Sequence, residues 1–159
     1  MTEEALLETL LDQERRLQFD KFDNDDAFAL GMIVVERARA SKLPIAVDVT
    51  RTHQQLFHVA LPGTSADNDQ WIRRKSAVVY RFAHSSFYIG TQCRMSGKSL
   101  EEKFEISTAD YAAHGGGFPI MVRGVGLVGT LTVSGIPQAE DHRLAVESIE
   151  QFLATAKKA

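Results

Sequence analysis

LPIAVDVTRTHQQLFHVALPG, residues 43–63, decides the fold. Ile45, Val47 and Val49 alternate with Ala46, Asp48 and Thr50, and Phe57, Val59 and Leu61 alternate with His58 and Ala60. A period of two sends successive side chains to opposite faces of a strand. The two runs are joined by a short polar link around Thr52–Gln55, which reads as a hairpin and therefore as antiparallel pairing. Leu43–Pro44 marks where a helical period ends, and Pro62–Gly63 closes the second strand.

Toward the N-terminus the period is helical. Residues 25–41 form a helix opened by Asp23–Asn24–Asp25–Asp26, whose side chains suit the free N–H groups and positive end of a helix. Phe28, Met32 and Val35 form its expected apolar stripe. Residues 4–18 place Leu6, Leu7, Leu10, Leu11 and Leu17 on one face. That face carries more apolar surface than one small sheet is expected to cover, so segment 1–20 reads as an assembly element.

Toward the C-terminus, Asp67–Asn68–Asp69–Gln70 opens a helix over about 68–83 with Ile72, Ser76, Val79 and Ala83 on one stripe, widened by Trp71, Val78 and Phe82. Residues 84–90 read as a continuation of that helix, Cys93–Lys98 as a loop and Leu100–Phe104 as a short helix. Gly115–Gly116–Gly117 needs unusual backbone angles or a close backbone approach. Phe118–Arg123 and Leu127–Ser134, joined by Gly124–Val125–Gly126, form a second hairpin. A last helix begins near Gln138, buries Ala145, Ile149, Phe152 and Leu153, and ends on Lys157–Lys158. The order α-α-β-β-α-loop-β-β-α suggests a single α+β domain over 1–159, with one mixed or antiparallel sheet flanked by helices.

The 159 residues suit one domain and carry a net charge of -3. No basic field exists to hold nucleic acid or an anionic membrane. One cysteine, Cys93, rules out an internal disulfide and a thiolate zinc cage. The acidic, amphipathic start MTEEALLETLLDQERRL is no signal peptide, and no apolar run approaches the ~18 residues of a membrane span, so the expected location is cytoplasmic. The metalloprotease, nucleophile-elbow, phosphate-loop and dinucleotide motifs are absent. Gly124–Val125–Gly126 joins two strands, the wrong context for a dinucleotide site.

The polar residues gather at element ends. His84–Ser85–Ser86 could supply a general base, a metal ligand or an anion-binding turn; the plain alternative is that the serines cap the next turn. His114 precedes Gly115 and Gly116, where a ligand or another backbone segment could approach closely. Asp141–His142 lies in the first turn of the last helix, where the dipole favours neutral imidazole; alternatively Asp141 simply stabilises the helix start. Arg73–Arg74–Lys75 spans most of a helical turn and so cannot face one ligand together. No pattern assigns a role to His53 or His58.

Four segments together resemble one family: PIAVDV (44–49), DNDQWIRRK through RFAHSSFYIG (67–90), HGGGFPI (114–120) and GLVGTLTVSGIPQAEDH (126–142). They look like the GlcG/HbpS-like "heme-degrading domain" superfamily, over roughly residues 25–153. The resemblance implies a profilin-like fold, assembly into larger homo-oligomers and heme as a cofactor, since relatives bind heme.

The leading expectation is a homo-oligomeric small-molecule or heme-binding protein. Its functional patch combines Asn68, Trp71, Lys75, His84, Ser85, Ser86, His114, Gly115, Gly116, Asp141 and His142. If heme binds, His84 or His114 is the expected axial ligand and Lys75 a partner for the propionates. Cys93 is not expected to ligate, because TQCRMSGKS reads as a loop outside the family motifs. Two other readings stand beside it: a protein-interaction module without chemistry, and an enzyme acting through a His/Ser patch. Nothing in the sequence spells out a reaction.

Overall fold

The fold was analysed in a computed structural model that describes residues 1–157. Helices α1 (Glu3–Arg16) and α2 (Asn24–Ala40) precede strands β1 (Ala46–Arg51) and β2 (Gln54–Ala60). Then come helices α3 (Ala66–Phe82), α4 (Ser86–Ser96) and α5 (Leu100–Phe104), strands β3 (Gly117–Val122) and β4 (Gly126–Ser134), and helix α6 (Gln138–Ala156). The strands form one antiparallel sheet in the order β2-β1-β4-β3. Both hairpins are where the alternation placed them. Lys157 forms the C-terminal cap of α6; Lys158 lies outside the described residues.

The register makes the two sheet faces chemically different. Val47 pairs with Val133 and Val49 with Leu131. These join Ile45, Phe57, Phe118 and Ile120 in an apolar core against α2 and α6. On the opposite face Thr50 pairs with Thr130, Asp48 with Thr132 and Ala46 with Ser134. This polar row is buried, and α3 lies over its β4 and β3 side. Part of it is self-satisfied: Thr50 Oγ1 is 2.8 Å from Thr130 Oγ1, which is 3.0 Å from Ser76 Oγ, while Thr132 Oγ1 is buried without a partner.

Three local expectations are corrected. Phe28 is 61% exposed, because α2 buries the neighbouring stripe Ala27, Leu30, Gly31, Val34, Val35 and Ala38. The small residues let α2 lie close to β2, and a Cβ on Gly31 would enter the Phe57 ring. Residues 84–98 are neither a continued helix nor a loop. Ala83 turns left-handed at φ 55° and ends α3; Ser85 then accepts the Tyr88 N–H at 3.1 Å and starts α4. Cys93 is therefore helical. Finally, the leucines of α1 are largely covered within the chain. Leu10 and Leu17 are buried, and Leu6, Leu7 and Leu11 are half-buried against the cluster of Val78, Phe87, Tyr88 and Ile89. The chain's own α4 supplies the partner that one small sheet could not.

Candidate ligand-binding site around His114

The triple glycine is a packing device before it is anything else. Gly117 sits in β3 directly under α3, where a Cβ would lie 3.0 Å from both Val79 Cγ2 and Ser86 Oγ. Its N–H donates to Ser86 Oγ at 2.9 Å. Gly116 has φ 136°, and a Cβ there would collide with the Val133 carbonyl. Thus Ser85 and Ser86, both fully buried, serve the backbone: one caps α4 and the other ties α4 to β3.

This close packing brings Lys75 of α3 to Asp141 of α6, 66 residues away. Lys75 Nζ donates to Asp141 Oδ2 at 3.1 Å and to the Val133 carbonyl at 3.0 Å, with the two residues 3% and 2% exposed. Asp141 also accepts the N–H groups of Gly135 and Ile136, at 3.3 and 3.2 Å. Burial pushes the Lys75 pKa down and that of Asp141 up, and each is partly offset by the other. A paired charge so deeply buried adds little net stability, so its position above a cavity is the informative feature.

That cavity, of about 300 Å³, is lined by Asn68, Trp71, Lys75, His114, Gln138 and Asp141, among others. Asn68 also completes a capping box with Ser65, which is the residue that caps α3. His114 stands edge-on to Trp71, with ring centroids 5.3 Å apart. Together with Gln138 it also borders a second cavity, of about 510 Å³, lined by Arg74, Cys93, Arg94, Lys98, Leu100 and Ala113. His114 is exposed, and among the described residues no hydrogen bond engages its ring. Burial, then the charges of Lys75, Arg74 and Arg94, lower its pKa and favour the neutral imidazole. Burial raises the Cys93 pKa, which keeps the thiol protonated.

His84 and His142 lie elsewhere, beneath α1. His84 Nδ1 meets Glu14 Oε1 at 2.8 Å and its ring stacks on Tyr88. His142 Nε2 meets Gln13 Oε1 at 2.7 Å, between Phe87 and Phe118; its Nδ1 is buried without a partner. The structure therefore brings together Asn68, Trp71, Lys75, His114, Gly115, Gly116 and Asp141, and separates from them the pair that pins α1.

The two α1 contacts have opposite pH dependence. The Glu14 hydrogen bond raises the His84 pKa above 6.5, so its stabilisation is full below 6.5 and is lost as pH rises through the folded value. Burial lowers the His142 pKa to about 4, so its contribution is full above 6.5 and is lost as pH falls toward 4. Urea midpoints followed across pH should decline on both sides of a maximum near 6.5. His84→Ala should flatten only the alkaline limb; an unchanged alkaline limb would contradict the pairing.

Sequence reading missed the largest cavity, about 900 Å³, which lies between α3 and the β1–β2 hairpin and includes Asp48, His53, His58 and Tyr80. A signal was present: Asp48 and Thr50 alternate with the apolar Val47 and Val49 in β1. The basic residues Arg74, Arg94 and Lys98 around His114 left no pattern, since they come from two helices and a turn.

The chain belongs to the family described as haem degrading protein HbpS-like, whose model matches residues 22–150. A UPF0303 protein from Streptomyces coelicolor is 54% identical over 144 residues, covering 91% of each chain. One from Psychromonas ingrahamii is 41% identical and covers 99% of each. Among solved structures, the Ybr137w protein is similar at TM-score 0.85 and 38% identity, over 92% of this chain and 87% of that one. A PduOC:heme complex is similar in fold at TM-score 0.70 and 19% identity, covering 81% and 93%. HbpS has TM-score 0.66 and 17% identity, covering 86% and 92%. Among the described residues, no helix is long and apolar enough to cross a membrane.

Proposed function

We propose that this protein is a homo-oligomeric heme-binding protein, with His114 as the axial ligand. The carrying observation is an exposed imidazole, free of hydrogen bonds among the described residues, at the border of a cavity with basic and apolar walls; its lowered pKa favours the neutral form. The residues fit the group. Leu100, Ala112 and Ala113 offer apolar contact, Lys98 offers a cation for one propionate, and Arg74 and Arg94 would serve the other on turning from Thr108 and Glu3. The cavity of about 510 Å³ lies within the usual range for small organic ligands, roughly 300–1,000 Å³. A fold relative solved as a heme complex supports the choice of heme over other carboxylate-bearing planar molecules. Bound heme would supply a redox-active iron. The chain's part is to offer His114, hold the carboxylates and keep Cys93 as an unreactive thiol. His84, engaged by Glu14 and Tyr88, is the weaker candidate ligand.

Self-association belongs to the same proposal. It is supported by Phe28, exposed beside the buried Phe57 at the sheet edge formed by β2, where a second copy could cover it.

Ferric heme titrated into wild type, His114→Ala, His84→Ala and Cys93→Ala should show a saturable one-to-one Soret change lost only in His114→Ala. Light scattering on the same samples should give a multiple of the monomer mass. Unsaturable binding, equal in all four proteins, would refute the heme site, and a concentration-independent monomer would refute self-association.

A further inference from the structure

The largest cavity lies apart from the His114 site. One face of α3 lines it: Asp69, Ile72, Ser76, Tyr80 and Arg81 follow the helical spacing from 69 to 81, or roughly 18 Å. The opposite wall is the β1–β2 hairpin. Helix α3 covers β4, β3 and β1 but leaves the same face of β2 open, so the gap is a trench about 900 Å³ in volume.

Its two ends differ in chemistry. At one end His58 bridges two carboxylates: its Nδ1 is 3.2 Å from Asp48 Oδ1, and its Nε2 is 3.2 Å from Asp69 Oδ1 without hydrogen-bond alignment. Gln55 Nε2 also donates to Asp48 Oδ1, at 2.6 Å. Every contact falls on an Oδ1. Among the described residues, Oδ2 of each carboxylate has no protein donor, although Asp48 is only 5% exposed. Burial has raised the Asp48 pKa, as expected of a carboxylate short of partners. These groups do not form a metal cage: among the described residues, no three His, Cys, Asp or Glu side chains converge as metal ligands.

The other end is aromatic. The His53 ring stacks on Tyr80 with centroids 4.0 Å apart, and the His53 N–H donates to the Tyr80 hydroxyl at 3.0 Å. That arrangement is held by a turn in which Thr52 and His53 both have positive φ, 47° and 68°. A β-branched residue rarely adopts this conformation, and such strain persists where surrounding contacts enforce it. Thr50 lies two residues from Asp48 on β1, roughly 7 Å along the strand, and its hydroxyl is 2.6 Å from that of Tyr80. The arginines of the trench are engaged elsewhere. Arg73 donates to the Ala109 carbonyl and to Gln70, and Arg81 lies over the Phe82 and Tyr111 rings.

We propose that this trench binds a small organic cation, a primary ammonium joined by a short linker to a planar ring. The ammonium sits against the open Oδ2 atoms of Asp48 and Asp69, and the ring lies along Tyr80 and Tyr111. The ~7 Å between the carboxylate and the phenol matches the length of an arylethylamine. An anion of the same shape would face two carboxylates and, among the described residues, no free cation at that end.

The test is calorimetric titration with phenethylamine and with its carboxylate counterpart, hydrocinnamate, on wild type, Asp48→Asn and Asp69→Asn. Asp48→Asn preserves shape inside the fold, and Asp69→Asn changes a half-exposed helical side chain that the core does not depend on. Phenethylamine should saturate at one per chain in the millimolar range or tighter, and hydrocinnamate should not bind. Each Asn variant should weaken the amine at least ~10-fold, the usual worth of a charge-assisted hydrogen bond. The proposal is overturned by non-saturating amine, by equal binding of both probes, or by unchanged affinity in the two variants.

Discussion

Lys75→Met should lower stability by about 3–5 kcal/mol, measured as a shift in denaturant midpoint at unchanged slope. The substitution keeps the length and apolar stem of the side chain, so packing changes little. What it removes is the cation paired with Asp141, a carboxylate 2% exposed, along with the donor to the Val133 carbonyl. An uncompensated buried charge accounts for most of the loss. Asp141→Asn added to Lys75→Met should recover part of it, because a neutral amide oxygen can still accept the Ile136 N–H. Full recovery is not expected, since Asp141 also accepts the Gly135 N–H. A loss below ~1 kcal/mol in the single variant would mean that the pair is not buried as described.

Gly116→Val should have the second-largest effect, at least about 2 kcal/mol. With φ 136°, the position disfavours any L side chain before packing is considered. A Cβ would meet the Val133 carbonyl oxygen and would lie 2.8 Å from Lys75 Nζ and 3.3 Å from Asp141 Cβ. Lys75 cannot yield without leaving Asp141, so the loss should overlap with that of Lys75→Met. The double variant should therefore fall short of the sum of the singles. Strict additivity would show that Gly116 and Lys75 act separately. The same substitution should weaken heme binding, since His114 is anchored two residues away.

The two hairpins were legible because Val47–Thr50 in β1 and Thr130–Ser134 in β4 alternate and short turns separate the partners. The family's fold was legible from the same segments and their motifs. Helix α4 was not, for a physical reason: its residues Ser86–Thr91 are buried between α1, α3, α6 and β3, so it shows no amphipathic period. The covering of the α1 leucines followed from that omission. At the candidate site, the sequence marked His114 and the glycines by their unusual grouping. It could not show that Lys75 meets Asp141 or that Arg74, Arg94 and Lys98 surround the space beside His114, because those meetings depend on how α3, α4 and α6 pack. His84 and His142 were grouped with His114 because all three sit at element ends. The fold directs two of them to α1 instead, through Glu14 and Gln13. Asp48 and His58 carried an alternation signal whose meaning needed the knowledge that α3 leaves β2 uncovered.

The central claim is that His114 presents a free neutral imidazole to heme iron in a cavity walled by Arg74, Arg94 and Lys98. Its most direct test is the spectrum of His114→Gly with ferric heme before and after adding imidazole. Removing the side chain should abolish the histidine-ligated Soret band, and free imidazole, entering the space vacated, should restore it. A His114→Gly protein whose heme spectrum already matches wild type, or one that imidazole leaves unchanged, would contradict the account.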